Sequence, residues 1–204
     1  MPPLILTAAL LIVAIGAAVF WANPQRFTNR VFAGFSLVSA GWLFCVYMAM
    51  RAGLHPDPHD NYSPVPWVRA ASAIGAFFPF SIWLMKESIL TIALHERRFL
   101  QKAFAWLVIG CGLASLCYVD SFVFNSEGSG NRSRGISYTI YNAVSFALYL
   151  LLIFQTYRQW RVQTGIRRLE MQVLILNAGI GCLLAIIVSV VGNYFDLRFV
   201  ARLP

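Results

Sequence analysis

A lysine and a glutamate stand next to each other inside an otherwise apolar stretch, as Lys86 and Glu87. Charged side chains within a membrane are costly and often functional, so this pair is a candidate for ion or proton handling. The alternative is interfacial, with both polar tips reaching water at the membrane surface. Because successive residues of a helix point about 100° apart, we do not expect the two side chains to pair well with each other.

The remaining polar residues do not indicate a metal site or a catalytic site. One proline-rich loop holds four possible ligands, His55, Asp57, His59 and Asp60. It lacks cysteine and a rigid scaffold, so we predict no metal site. No histidine lies deep in a helix, which disfavours haem, and no HExxH or GxSxG motif occurs. We therefore predict no catalytic residue, no cofactor and no enzymatic activity for this chain.

His95 and Glu96 resemble a phosphoacceptor pair only superficially. They lie in a short loop between predicted helices, without dimerisation helices or a nucleotide-binding domain. We do not predict phosphorylation there.

Composition indicates an integral membrane protein. Of the 204 residues, 59% are hydrophobic and 12% are charged, whereas average soluble chains are about 25% charged. The net charge of +8 could suggest nucleic-acid binding. However, the basic residues lie in short loops between apolar runs, as expected for a membrane protein, so we predict no nucleic-acid partner. The four cysteines all fall inside apolar runs and are expected to be buried and reduced.

Six apolar runs are long enough to cross a bilayer core, which needs about 20 helical residues. The predicted helices span residues 4–22, 31–50, 68–94, 103–123, 136–156 and 171–194. The predicted fold is thus an all-α bundle of six transmembrane helices in a single domain, residues 1–204. Pro79 should kink the third helix, which membrane proteins tolerate when neighbours satisfy the freed carbonyl.

The distribution of positive charge predicts the orientation of the bundle. One set of loops holds nine basic residues, Arg26, Arg30, Arg97, Arg98, Lys102, Arg158, Arg161, Arg167 and Arg168. The other set holds six, Arg51, Arg69, Arg132, Arg134, Arg198 and Arg202, offset by acids. Because positive loops stay in the cytoplasm, we predict an external amino terminus. Six crossings would leave the carboxyl terminus outside as well.

Two short stretches carry a family resemblance. The first is NPQRFTNR at residues 23–30, between the first two predicted helices. The second is the basic segment from Tyr157 to Glu170 that leads into the sixth helix through GIRRLEMQ. Together with Arg69 after Trp67, they resemble the amino-terminal seven-helix sensor region of bacterial histidine kinases. The chain is accordingly expected to be part of a longer protein of the bacterial cytoplasmic membrane.

The resemblance implies more than these 204 residues contain. It implies a seventh helix and a cytoplasmic output domain, usually a histidine kinase, and a homodimer when the protein is full length. It also suggests roles for the polar loop residues in topology or signal transmission. Those residues are Asn23, Arg26, Asn29, Arg30, Arg69, Arg158, Arg161, Arg167 and Arg168. The alternative for the arginines is topology combined with contact to anionic lipid headgroups.

Aromatic residues supply a candidate ligand site. We predict that an apolar pocket between helices takes a small or lipid-like ligand. Its candidate residues are Phe77, Phe78, Trp83, Tyr118, Tyr138 and Tyr141. The alternative is ordinary helix packing.

Three functions remain open from the sequence. The first is a sensory input module, in which a ligand or membrane state shifts the bundle between two arrangements that an output domain reads. The second is a small transporter or channel, although the predicted helices are nearly all apolar. The third is a structural subunit of a larger membrane complex. In all three the lipid bilayer is a partner.

Overall fold

The computed structural model describes residues 2–54, 64–90, 97–124, 133–176 and 179. Its helices are α1 (Pro2–Ala22), α2 (Phe27–Leu54), α3 (Val65–Gly75), α4 (Phe78–Leu90), α5 (Arg97–Leu116), α6 (Ile136–Trp160) and α7 (165–176). Two short strands, β1 (Val123–Phe124) and β2 (Ser133–Arg134), pair antiparallel between α5 and α6. Val123 lies opposite Arg134 in this pairing.

Five helical segments of the described chain are long and apolar enough to cross a membrane. They are Leu4–Ala22, Phe27–Ala52, Val65–Leu90, Arg97–Leu116 and Ile136–Trp160. Large apolar side chains on these helices lie on the outside of the bundle, including Leu10, Phe104 and Phe154. Such surfaces would be unfavourable in water and suit contact with lipid. The chain is therefore a multi-pass α-helical membrane protein.

Small residues bring α1 and α2 close together. A Cβ atom built on Gly16 would lie 2.6 Å from the Cβ of Ser36 and 3.6 Å from the Cα of Ala33. The Ser36 hydroxyl donates a hydrogen bond to the carbonyl of Phe32, 2.9 Å away on its own helix. Membrane helices commonly associate through small residues that permit close backbone approach.

The third predicted helix is divided into α3 and α4 just before Pro79. Proline has no N–H to donate to the preceding turn, and its ring crowds the carbonyl four residues earlier. The backbone changes at Phe77, whose N–H bonds to the carbonyl of Ile74, three residues back. Regular bonding resumes where the N–H of Ser81 bonds to the carbonyl of Phe77. The kink that the sequence predicts at Pro79 is thus a short break.

Helix α4 lies in the middle of the described bundle and packs against α2, α5 and α6. Its position explains why five of its side chains are buried, namely Pro79, Ser81, Trp83, Lys86 and Ser88. Helix α3 packs against α2 and α5. The short loop from α1 to α2 keeps those two helices adjacent along their length.

Helix α5 differs most from its predicted bounds of 103–123. It begins at Arg97, and after Leu116 the chain forms tight turns in which N–H groups bond three residues back. These turns place Phe122 in a fully buried position against Tyr138 and Tyr141. The apolar run continues through Cys117, Tyr118 and Val119, so hydrophobicity alone could not indicate that the helix ends at Leu116.

The sixth predicted helix, 171–194, lies mostly outside the described residues. What the structure describes is α7, which begins six residues earlier than predicted and is described to residue 176. Gly165, at its start, has φ of 64°, a left-handed conformation that favours glycine. The predicted features of residues 55–63, 91–96 and 125–132 also lie outside the described residues, the histidine loops among them.

Candidate functional site

The turn between α1 and α2 is organised by Asn23. Its side-chain Oδ1 accepts hydrogen bonds from the backbone N–H groups of Gln25 and Arg26, each at 3.2 Å. Asparagine commonly stabilises a turn by bonding to its own following backbone. We call this end of the bundle, where α1, α4 and α6 end and α2, α5 and α7 begin, the collar end.

Asn29 and Arg30 bond to carbonyl groups in the last turn of α1 and just after it. The Asn29 amide donates to the carbonyls of Val19, at 2.9 Å, and Asn23, at 3.1 Å. The Arg30 Nε donates to the carbonyl of Pro24 at 2.6 Å. The last carbonyls of a helix lack partners within it, and a cation there also suits the helix dipole. Asn23, Asn29 and Arg30 therefore have a local structural role in fixing this turn.

Arg26 joins the α1–α2 turn to α7. One guanidinium nitrogen lies 2.7 Å from the Oε1 of Glu170, forming an ion pair between residues 144 positions apart. The Arg26 side chain is 52% exposed and that of Glu170 is 29% exposed. Pairs with this exposure contribute only about 0.2–1 kcal/mol. The contact can therefore form or break at small cost.

A second contact joins the start of α2 to the end of α4. The hydroxyl of Thr28 donates a hydrogen bond to the carbonyl of Ser88 at 3.1 Å. That carbonyl belongs to the last turn of α4, where carbonyls have no partner within the helix. The α1–α2 segment thus contacts both α4 and α7 at the collar end.

Lys86 and Glu87 form an ion pair, so the expectation that they would not pair well is wrong. The Lys86 Nζ lies 3.0 Å from Glu87 Oε1, and their side chains are 2% and 15% exposed. The long, flexible lysine side chain spans the angular separation between neighbouring positions on the helix. A buried charge without a partner is strongly unfavourable, so the pairing explains how Lys86 is accommodated in the bundle.

Trp83 lies one turn before Lys86 in an aromatic cluster. Its ring is nearly parallel to those of Phe80, Phe99 and Trp106, with centroid distances of 6.2, 5.7 and 6.3 Å. Phe99 in turn meets Phe27 edge to face at 6.4 Å. Stacked and edge-to-face rings stabilise packing beyond the area they bury. Trp83 therefore joins α4 to α5 and, through Phe99, to α2.

The basic segment between α6 and α7 carries two contacts between cations and aromatic rings. The guanidinium of Arg168 lies 5.1 Å from the Trp160 ring centroid, and that of Arg158 lies 5.9 Å from the Phe154 ring. Tyr157 packs against Trp160 at 5.7 Å. The Arg168 contact joins the two helices that flank the segment. The side chains of Arg161 and Arg167 are exposed.

The opposite end of the bundle is held by a separate cluster. Phe122 meets Tyr138 and Tyr141 edge to face at 5.4 and 5.6 Å. The Tyr141 hydroxyl donates to the carbonyl of Ser72 at 2.8 Å, joining α6 to α3. Burial raises the pKa of the nearby Cys117 thiol to about 11. This thiol remains protonated, and therefore weakly nucleophilic, at neutral pH.

Arg69 also lies at this end, near the start of α3. One of its guanidinium nitrogens is 3.8 Å from Asp120, which is fully exposed. The contact is weak, because the distance is long and the carboxylate is fully solvated. Arg69 is distant along the bundle from the other arginines of the predicted transmission set, which lie at the collar end.

The six aromatic residues predicted to line one pocket occupy different places. Trp83 belongs to the cluster with Phe99 near the collar end, while Phe78 packs edge to face with Phe35 and Trp42. Phe77 lies against Gly110, with two ring carbons 3.1 and 3.2 Å from a Cβ built there. Tyr138 and Tyr141 surround Phe122, and Tyr118 is 60% exposed. The six residues thus lie at several levels of the bundle, and the exposed Tyr118 is not packed between helices.

A shallow apolar groove lies elsewhere, between α4, α6 and α7. It is lined by Ile82, Tyr149, Leu152, Ile153, Thr156, Leu174 and Ile175. The four α6 residues follow the 3.6-residue helical period, which could have identified them as one face. The α4 and α7 residues could not be assigned to that face from sequence, because tertiary packing brings the three helices together.

No family model, curated protein or solved structure matches this chain.

Proposed function

We propose that this chain is the membrane-embedded sensory input module of a bacterial signalling protein of the histidine kinase type. The module lies in the cytoplasmic membrane with its collar end facing the cytoplasm. It responds to a small or lipid-like ligand, or to the state of the membrane, by shifting between two helix arrangements. A cytoplasmic output domain outside these 204 residues reads the difference.

The observation that carries the proposal is the ion pair between Arg26 and Glu170. It connects two segments that also carry the family resemblance, the α1–α2 turn and the basic segment leading into α7. A rearrangement of α2 would move Arg26 relative to α7, because the Asn23 turn and the Asn29 and Arg30 contacts fix the geometry of that segment.

The energy of this contact suits a switch. A signal can shift a two-state equilibrium only by its differential affinity for the two states. A contact of about 0.2–1 kcal/mol changes such an equilibrium by at most about fivefold, so modest signals could overcome it. The buried Trp83 cluster would transmit movement of α4 to α2 through Phe99 and Phe27.

The experiment measures the separation of α7 from the α1–α2 turn in a bilayer. Spin labels on Gln25→Cys and Leu169→Cys, both exposed positions, report the distance by pulsed electron spin resonance in nanodiscs. Bilayers of different thickness and headgroup charge are compared. We expect two distance populations whose ratio changes with the bilayer. One unchanging distribution in every bilayer would contradict the proposal.

A matched pair of variants links the result to the ion pair. Arg26→Gln should shift the populations toward the longer distance, because it removes the attraction to Glu170. Arg98→Gln removes an exposed arginine at the start of α5, on the same end of the bundle, and should leave the populations unchanged. Equal effects of both variants would indicate a general charge effect instead.

The buried pair of Lys86 and Glu87 favours a second candidate, a small transporter or channel. Intramembrane ion pairs often mark ion or proton pathways. Ion and proton flux into liposomes that contain the purified protein tests this candidate. Flux that Lys86→Met abolishes would support it over the sensory role, and flux no greater than that of empty liposomes would exclude the tested ions.

A further inference from the structure

The apolar groove between α6 and α7 ends beside cationic groups at the collar end. On α6, Trp160 lies one turn beyond Thr156, on the face that lines the groove. On α7, Arg168 lies two turns before Ile175, on the same face of that helix. The Arg168 guanidinium is held over the Trp160 ring at 5.1 Å. An apolar surface therefore continues into a fixed positive charge.

The groove is lined mainly by apolar side chains. The hydroxyl of Thr156 is already bonded to the carbonyl of Leu152 at 2.6 Å. The remaining lining side chains, apart from the ring of Tyr149, are aliphatic. Because α4 and α6 belong to segments long and apolar enough to cross a membrane, and the lining is mostly apolar, a hydrocarbon chain is the occupant that matches its chemistry.

Polar atoms near the cationic end lack partners. Trp160 Nε1 and Gln159 Oε1 are buried, and neither has a hydrogen-bond partner among the described residues. A buried N–H left without an acceptor is unfavourable, so the indole is suited to donate to a ligand oxygen. A phosphate oxygen between the indole N–H and the Arg168 guanidinium would accept from both.

We infer that this groove binds one anionic glycerophospholipid from the surrounding leaflet. One acyl chain lies along the groove, and the phosphate lies between Arg168 and Trp160. Charge complementarity selects this occupant over a neutral lipid, because the exposed Arg161 and Arg167 are on the same segment and add to the positive potential. The site is separate from the predicted aromatic pocket, and it does not depend on the sensory role proposed above.

Native mass spectrometry of the detergent-purified protein tests the site directly. Phosphatidylglycerol and phosphatidylcholine with identical oleoyl chains are titrated separately. We expect phosphatidylglycerol to bind about tenfold more tightly, the effect of one or two basic contacts. Equal binding of the two lipids would overturn the inference.

Variants separate the headgroup contact from the groove. Arg168→Gln and Trp160→Phe should each weaken phosphatidylglycerol binding about fivefold, since each removes one donor to the phosphate while Phe keeps the aromatic ring. Arg98→Gln is the matched control and should weaken it less than twofold. An equal loss of phosphatidylglycerol binding in Arg98→Gln and Arg168→Gln would indicate general electrostatic attraction to the basic end of the bundle and contradict a specific site.

The acyl chain requires its own test. Ile153→Trp fills part of the groove and should weaken phosphatidylglycerol binding about fivefold, with retention of the monodisperse folded protein checked by size-exclusion chromatography. Unchanged phosphatidylglycerol binding in Ile153→Trp would mean that the acyl chain does not lie in the groove. Another segment of the protein or a second copy would then be the occupant. Glycerol 3-phosphate, which has no acyl chains, should compete poorly with phosphatidylglycerol for the site. Competition as strong as that of phosphatidylglycerol itself would indicate a site for the headgroup alone.

Discussion

Gly16 offers a stringent test of how α1 packs on α2. Replacing Gly16 with alanine introduces a Cβ atom 2.6 Å from the Cβ and 2.8 Å from the Oγ of Ser36. Favourable contacts between carbon atoms occur at about 3.5–4.0 Å, so the helices must separate by roughly an ångström. Ser36 cannot turn away freely, because its Cβ is fixed to the backbone and its hydroxyl is bonded to Phe32.

The expected cost follows from this overlap. Overpacking typically costs about 1–3 kcal/mol, and the higher helix propensity of alanine offsets up to about 1 kcal/mol of it. Gly16→Ala should therefore lower the free energy of unfolding by about 1–2 kcal/mol. The assay is reversible unfolding of the bilayer-reconstituted protein by steric trapping, which measures stability without a change of solvent.

Two variants make the test specific. Gly34→Ala is the matched control, since a Cβ built on Gly34 has nothing within 4 Å, and it should be neutral or slightly stabilising. Combining Gly16→Ala with Ser36→Gly removes the opposing Cβ and should recover part of the loss. Equal stability of Gly16→Ala and Gly34→Ala would refute the close approach of the two helices.

Three further predictions concern the contacts that join distant parts of the chain. Tyr141→Phe should lower the free energy of unfolding by about 0.5–1.5 kcal/mol, measured by steric trapping, because the hydrogen bond from the hydroxyl to the carbonyl of Ser72 is lost, while that carbonyl keeps its bond from the N–H of Ala76. No change would show that the hydroxyl bond does not contribute to stability. A double-mutant cycle of Arg26→Gln and Glu170→Gln, with the free energy of unfolding as readout, should give a coupling energy of about 0.2–1 kcal/mol that falls in high salt, because salt screens the exposed ion pair. Additive effects of the two substitutions would show that the two side chains do not interact. Burial raises the pKa of Cys117 from its ordinary value of 9.0 to about 11, so the thiol ionises at lower pH in the unfolded protein than in the folded one. The free energy of unfolding should therefore fall as pH rises from 9 to 11. Cys117→Ala should reduce this pH dependence, and an unchanged pH dependence would contradict its assignment to Cys117.

Long-range apolar pattern predicted the helices of this chain well where the pattern is unambiguous. Helices α1, α2 and α6 lie where the apolar runs do, because a run of about 20 apolar residues has few alternatives in a bilayer. The proline rule indicated the break near Pro79. The end of α5 was not predictable, because Cys117, Tyr118 and Val119 continue the apolar run past Leu116, while tertiary packing of Phe122 stabilises the turns there.

The candidate sites were less predictable than the helices. The aromatic residues suggested one pocket, but they lie at different levels along the bundle, and only the assembled helices determine which rings meet. The Arg26–Glu170 contact spans 144 positions, and no local pattern specifies such a partner. The Lys86–Glu87 pairing depends on side-chain flexibility, which the angular spacing of helix positions does not describe.

An output to the cytoplasm requires that the collar end lie at the cytoplasmic surface, and the sidedness of α6 measures this directly. Val162, just beyond α6, is 80% exposed, and Ile136, at the other end of the helix, is 72% exposed. Single cysteines at these positions are labelled with a membrane-impermeant thiol reagent in intact and opened bacterial cells, with the unsubstituted protein as baseline. We predict that Ile136→Cys is labelled in intact cells and Val162→Cys only in opened cells. The reverse labelling pattern would place the collar end on the external side of the membrane and contradict an output to the cytoplasm.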